Sequence, residues 1–154
     1  MDERIFRTKF GWMVVAATEK GICRVALPVK GKIKATKGVR IKFPSQLRSD
    51  MIKYFRGGRV DFKRYPADLT RCTRFQKLVL SCVRKIPYGT TMTYSEVARK
   101  IGKPKAARAV GGALNANPLP LLIPCHRVTA AKGLGGFACG AGMKKRMLEM
   151  EGVI

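Results

Sequence analysis

One histidine, His126, directly follows Cys125 inside NPLPLLIPCHRV, residues 117–128. A thiolate is a nucleophile and a thiol is not, and a free cysteine ionises near pH ~8.5. A nearby imidazole can take the proton and raise the thiolate fraction. His126 is the chain's single histidine, so any imidazole chemistry falls to it. Neighbours in sequence usually point different ways, so a bridging water serves this transfer more easily than direct contact. A carboxylate that holds the ring would complete the set. The C-terminal part of the chain offers four, Asp68, Glu96, Glu149 and Glu151, of which Glu96 is expected to be used in a helix cap. The Cys-His dipeptide alone is a weak signal.

The five cysteines are odd in number and contain no CxxC pair. A disulfide framework and a structural zinc site are therefore poorly supported, and no metal is expected. The expected setting is the reducing cytoplasm. Sequence leaves a Cys72–Cys82 bridge open. Cys23, Cys72 and Cys82 read as packing residues.

The elements that must position Cys125 and His126 follow from patterning. Residues 4–28 alternate and are β-rich, with a hairpin turn at Glu19-Lys20-Gly21. A Lys-rich stretch, 30–42, reads as an exposed loop leading into a short strand. Residues 45–58 place Leu47, Met51, Ile52 and Phe55 on one helical face, and Gly57-Gly58 stops it. Residues 60–66 read as extended, with a boundary at Pro66 between an N-terminal lobe, 1–66, and a C-terminal lobe, 67–154. Thr73 with Gln76 forms a capping box, followed by Phe75, Leu78, Val79, Cys82, Val83 and Ile86 as a core stripe. Thr93 with Glu96 opens a second helix with Val97, Ala98 and Ile101 inward, and a third runs from near Pro104 to Ala116. Two short helices joined by a tight turn read as helix-turn-helix.

The chain of 154 residues carries 32 Lys+Arg against 9 Asp+Glu, a net charge of +23. That excess favours a polyanion, and nucleic acid is the commonest one. The charge is shared: +12 through residue 66 and +11 after it. No secretory signal and no membrane span is expected. The third helix is odd for a major-groove reader. Its side chains are mostly Ala and Gly, with Arg108 the large polar group at its middle. Gly111-Gly112 costs about 1 kcal/mol per residue in helix propensity. Either it packs tightly on another helix, or it is slim enough for a narrow groove.

PCHRV, 124–128, resembles the active-site signature of the O6-alkylguanine-DNA alkyltransferases. The likeness extends through KAARAVGGALNANPLPLLIPCHRV (105–128), IPYGTTMTYSEVA (86–98) and GGFACGAGMKKRMLEMEG (135–152), nearly all of residues 70–154. It implies a two-lobe α/β (α+β) fold. The first lobe would be a small ribonuclease-H-like sheet with a helix, the second a helical lobe with a winged-helix or helix-turn-helix element. It implies single-use transfer of an alkyl group from O6 of guanine to Cys125, without a cofactor, by a monomer on double-stranded DNA. His126 would act as base through water, oriented by Glu151, with Asn117 hydrogen-bonding nearby. Tyr94 would help rotate the nucleotide out and bond the guanine. Arg108 would fill the vacated stack, with Ala107, Ala109, Gly111, Thr93 and Arg127 also at the DNA. Leu114, Pro124, Gly136, Phe137, Ala138 and Cys139 would line the pocket.

The loop after the active site departs from the family pattern. Phe137 keeps an aromatic wall where relatives carry tyrosine, and Cys139 replaces a residue often Gly or Arg. Two other readings exist. Alkyltransferase-like proteins mark lesions without repair but lack the reactive cysteine, and Cys125 is present. A Cys-His hydrolase of small substrates leaves the charge and the helix-turn-helix unexplained.

Overall fold

A computed structural model describes residues 1–31 and 43–154. The loop and short strand expected within 30–42 lie almost wholly outside the described residues. Strands β1 (Asp2–Thr8), β2 (Gly11–Thr18) and β3 (Gly21–Val29) form an antiparallel sheet in that order. β2 is central, and Met13 through Ala17 are all buried. The expected hairpin turn joins β2 to β3. Gly21 has φ +144°, and a side chain there would meet the Pro66 carbonyl at 2.5 Å. That close approach matters, because Ile22 N–H donates to Pro66 O at 2.8 Å and Asp68 N–H to Ile22 O at 2.7 Å. Residues 66–68 thus run alongside β3.

Helix α1 (Leu47–Phe55) buries Leu47, Met51, Tyr54 and Phe55. Tyr54 takes the fully buried place expected for Ile52, which is half-buried. Residues 60–66 are not simply extended. Phe62–Arg64 form one 3-10 turn, because the Asp61 side chain accepts from Lys63 N–H.

The second lobe holds α2 (Arg74–Val83), β4 (Met92–Thr93), α3 (Tyr94–Lys100), α4 (Ala107–Asn115), β5 (Val128–Thr129) and α5 (Ala141–Met150). Both capping boxes form, at Thr73/Gln76 and Thr93/Glu96. The α2 stripe is rotated from its expected position: Val79, Leu80 and Val83 are buried, while Leu78 is 42% exposed. α4 begins at Ala107, three residues beyond Pro104, and packs on α2 and α3. Its N-cap Ala106 offers no side-chain acceptor, and the residues after Pro104 form a turn instead. Among the described residues no helix is long and apolar enough to cross a membrane.

Candidate active site

The apolar segment after α4 is a tied loop. Asn117 Nδ2 donates to Ile123 O at 3.0 Å, and its Oδ1 accepts from Leu119 N–H at 2.9 Å. Val25 N–H donates to Pro118 O at 2.8 Å, pinning the loop to β3. Leu121 sits at φ +79°, a left-handed conformation that a leucine adopts only when its surroundings impose it. The chain then makes a 3-10 turn, Cys125–Arg127, and enters β5. β5 pairs in parallel with β4, Met92 opposite Val128, and β4 leads directly into Tyr94. This short ladder fixes Tyr94 relative to Cys125.

Both residues line a cavity of about 690 Å³. Cys125, 7% exposed, places a buried thiol at its wall. α4 contributes Arg108 and Gly111, and the loop before α5 contributes Gly136 and Phe137. Tyr94 O–H donates to Gly136 O at 3.2 Å. Gly135, at φ +73°, lets that loop cross the Tyr94 ring, where a Cβ would lie 2.9 Å from the phenol. A Cβ on Gly112 would meet nothing within 4 Å, so packing within the protein does not require that glycine. The tight-packing alternative for Gly112 is set aside.

Behind Cys125 lies a buried polar cluster. His126 Nε2 is 2.7 Å from Glu151 Oε1, and Tyr54 O–H donates to the same oxygen at 2.7 Å. Arg127 donates to both Glu151 oxygens, at 2.8 and 2.9 Å, and Gly89 N–H donates to Oε2 at 3.2 Å. Burial pushes the Glu151 carboxyl up, but its hydrogen bonds from His126 and Arg127 prevail and hold it at about 2. An ionised Glu151 accepts from His126 Nε2–H. The lone pair then sits on Nδ1, which is buried and has no hydrogen-bond partner among the described residues. Burial, opposed by Glu151, pulls the imidazole below its usual range, so it is neutral near pH 7. Burial raises the Cys125 thiol to about 11, against a hydrogen bond from Asn117 and the charge of Lys144, which lower it.

The model for the 6-O-methylguanine DNA methyltransferase DNA-binding domain matches residues 74–153. The chain belongs to this family. A methylated-DNA–protein-cysteine methyltransferase of Methanosarcina acetivorans is 38% identical over 158 residues, covering 96% of each chain. One of Methanothermobacter thermautotrophicus is 49% identical over 106 residues, 68% of this chain and 59% of that protein. Among solved structures, the Mycobacterium tuberculosis OGT in complex with DNA aligns with TM-score 0.83 and 33% identity, over 97% of this chain and 91% of that one. The small antiparallel sheet and the helical second lobe are thus the fold of this family.

The structure brings Cys125, Tyr94, Thr93, Ala107, Arg108, Gly111, Leu114, Gly136, Phe137 and Ala138 around one cavity. His126 and Glu151 lie behind it, and Asn117 shapes the loop that delivers Cys125. Ala109 is exposed on α4 but does not line the cavity. Three expectations need correction. Arg127 is not at a DNA-facing surface: it is buried, bonded to Glu151 and to Ile86 O. Pro124 borders a different cavity, with Arg59 and Tyr88. Cys139 is exposed and lies outside the lining. Sequence reasoning missed two groups, Tyr54 and the buried Lys144.

Proposed function

We propose that this protein reverses DNA alkylation by moving the alkyl group from O6 of guanine onto Cys125, once per molecule. One observation carries this reading. A buried cysteine opens into a cavity beside a slim, cationic helix, and a histidine–glutamate pair stands behind it. A base inside a duplex cannot reach a buried sulfur, so it must be flipped out. The small residues of α4 fit a narrow groove, and Arg108, exposed at the cavity, replaces the extruded base in the stack. Tyr94 bonds a ring nitrogen of the flipped guanine. The S–C bond forms as the C–O6 bond breaks. The sulfur's proton passes to His126 Nδ1, directly or through one water. The Tyr94 phenol donates its proton to a ring nitrogen of the leaving guanine and recovers one through solvent, to which the His126 imidazolium releases the sulfur's proton, so the exchange is neutral overall. A thioether has no good leaving group, and nothing in the site regenerates the thiol.

The test is incubation with duplex DNA carrying O6-methylguanine, followed by mass spectrometry of the peptides. One methyl on Cys125 per protein supports the reading, and repeated turnover refutes it. A second prediction concerns Arg108→Ala. It should slow repair of duplex DNA far more than reaction with free O6-benzylguanine, because only duplex requires flipping. Equal losses on both substrates would remove Arg108 from the flipping step. Binding to duplex should also weaken steeply with added salt, as displaced counterions return to the phosphates. A binding constant that ignores salt would contradict the charge's assigned role.

A further inference from the structure

Lys144 is a lysine in the core. It lies on α5, fully buried, and no carboxylate of the described residues pairs with it. Lysine is almost never buried unless paired, since desolvating an ammonium is costly. Its Nζ donates to Val128 O at 2.6 Å and to Gly136 O at 3.0 Å. Val128 begins β5, three residues beyond the reactive cysteine. Gly136 belongs to the loop lining the other side of the pocket, and its carbonyl also accepts from Tyr94. The ammonium lies 5.9 Å from the centre of the Tyr94 ring and 6.0 Å from that of Phe137. One cation therefore joins the strand after Cys125, the pocket loop and the phenol.

We propose that Lys144 is a positioning residue for alkyl transfer: it clamps the pocket loop to β5 and serves as the fixed countercharge to the Cys125 thiolate. The proposal rests on Cys125 being the acceptor. Two carbonyls solvate the ammonium but do not neutralise it. The group able to supply a negative charge across the pocket is the thiolate, and the coupling is mutual. The charge of Lys144 lowers the Cys125 thiol, and ionised Cys125 raises Lys144. Burial, opposed by Cys125, brings Lys144 down to about 8. Transfer removes the countercharge for good, because the product sulfur is a neutral thioether.

The experiment is a pH profile of single-turnover reaction with free O6-benzylguanine, from pH 6 to 10, which reads chemistry without base flipping. The titratable and charged groups facing Lys144 are Cys125 and His126 on the 3-10 turn, and Tyr94 on α3. Cys139, before α5, also couples to Cys125. Lys144→Met should react about tenfold slower at neutral pH, the change that one unit in the thiol's pKa produces, and recover as pH rises. Affinity for undamaged duplex should not change. A loss equal at every pH would mean a structural role alone and overturn the proposal. Lys144→Arg keeps the charge and guards against misfolding of the Met variant. The wild type should lose its advantage above pH ~8, where Lys144 gives up its proton, whereas the arginine variant should not, since a guanidinium stays charged. Identical profiles for wild type and Lys144→Arg would also overturn it. If the wild type itself leaves Cys125 unmodified, the acceptor assignment fails instead.

Discussion

Replacing Cys125 by alanine is expected to abolish alkyl transfer and leave DNA binding intact. Cys125 is the cysteine that lines the cavity. Cys23, Cys72 and Cys82 are half-buried elsewhere, and Cys139 is exposed outside the lining. The sulfur is too deep to touch phosphates, so duplex affinity should be that of the wild type. Truncation to alanine removes one buried atom and should cost on the order of 1 kcal/mol of stability. Intact-protein mass spectrometry after incubation with O6-methylguanine duplex checks the first half, and a gel-shift titration the second. Methylation of the variant at Cys139 would show a second acceptor and end the assignment of Cys125 as sole nucleophile.

Glu151→Gln should have the next largest effect, on rate and stability together. Glu151 Oε1 accepts from His126, Tyr54 and Arg127, and Oε2 accepts from Arg127 and Gly89. An amide in that place turns one acceptor into a donor that faces other donors. It also leaves the buried Arg127 cation unpaired, and breaking such a pair costs about 3–5 kcal/mol. The imidazole loses the anion that fixes its tautomer. Transfer should slow by about 10²–10⁴-fold, the contribution of general base catalysis. The pH dependence follows from the depressed carboxyl. Because its folded pKa, about 2, lies below the unfolded 4.5, Glu151 stabilises the fold at all pH values above 4.5. That stabilisation fades as pH falls from 4.5 through about 2, when the carboxylate takes a proton. Denaturant titrations at pH 7 and pH 3 should show the variant's deficit shrinking at pH 3. A constant deficit would mean that the carboxylate's charge contributes nothing.

Local chemistry was easily read from sequence. Both capping boxes form because their signals lie three residues apart and need no tertiary context. The sequence around Cys125 carried the cysteine of the cavity and the histidine behind it. Long-range pairing was not legible. Tyr54 and Ile52 both suit an inward helical position, and what selects Tyr54 is a carboxylate 97 residues later. The same blindness explains Leu78 and Leu80, apolar residues on either side of Val79 on α2 whose order of burial depends on what packs against the helix. Lys144 and Arg127 were hidden by composition: the chain has 32 basic residues, and nothing local marks these two as buried.

The Tyr54–Glu151 hydrogen bond also bears on modular engineering. The two ends of the chain look exchangeable, one a sheet with a helix and the other the reactive machinery. They are not interchangeable parts. A chimera that joins the front of one relative to the back of another inherits the complete hydrogen-bonded cluster only if a phenol on the first helix meets the glutamate that follows the last helix. Parents for such shuffling should be chosen by that pair of residues before overall similarity is considered.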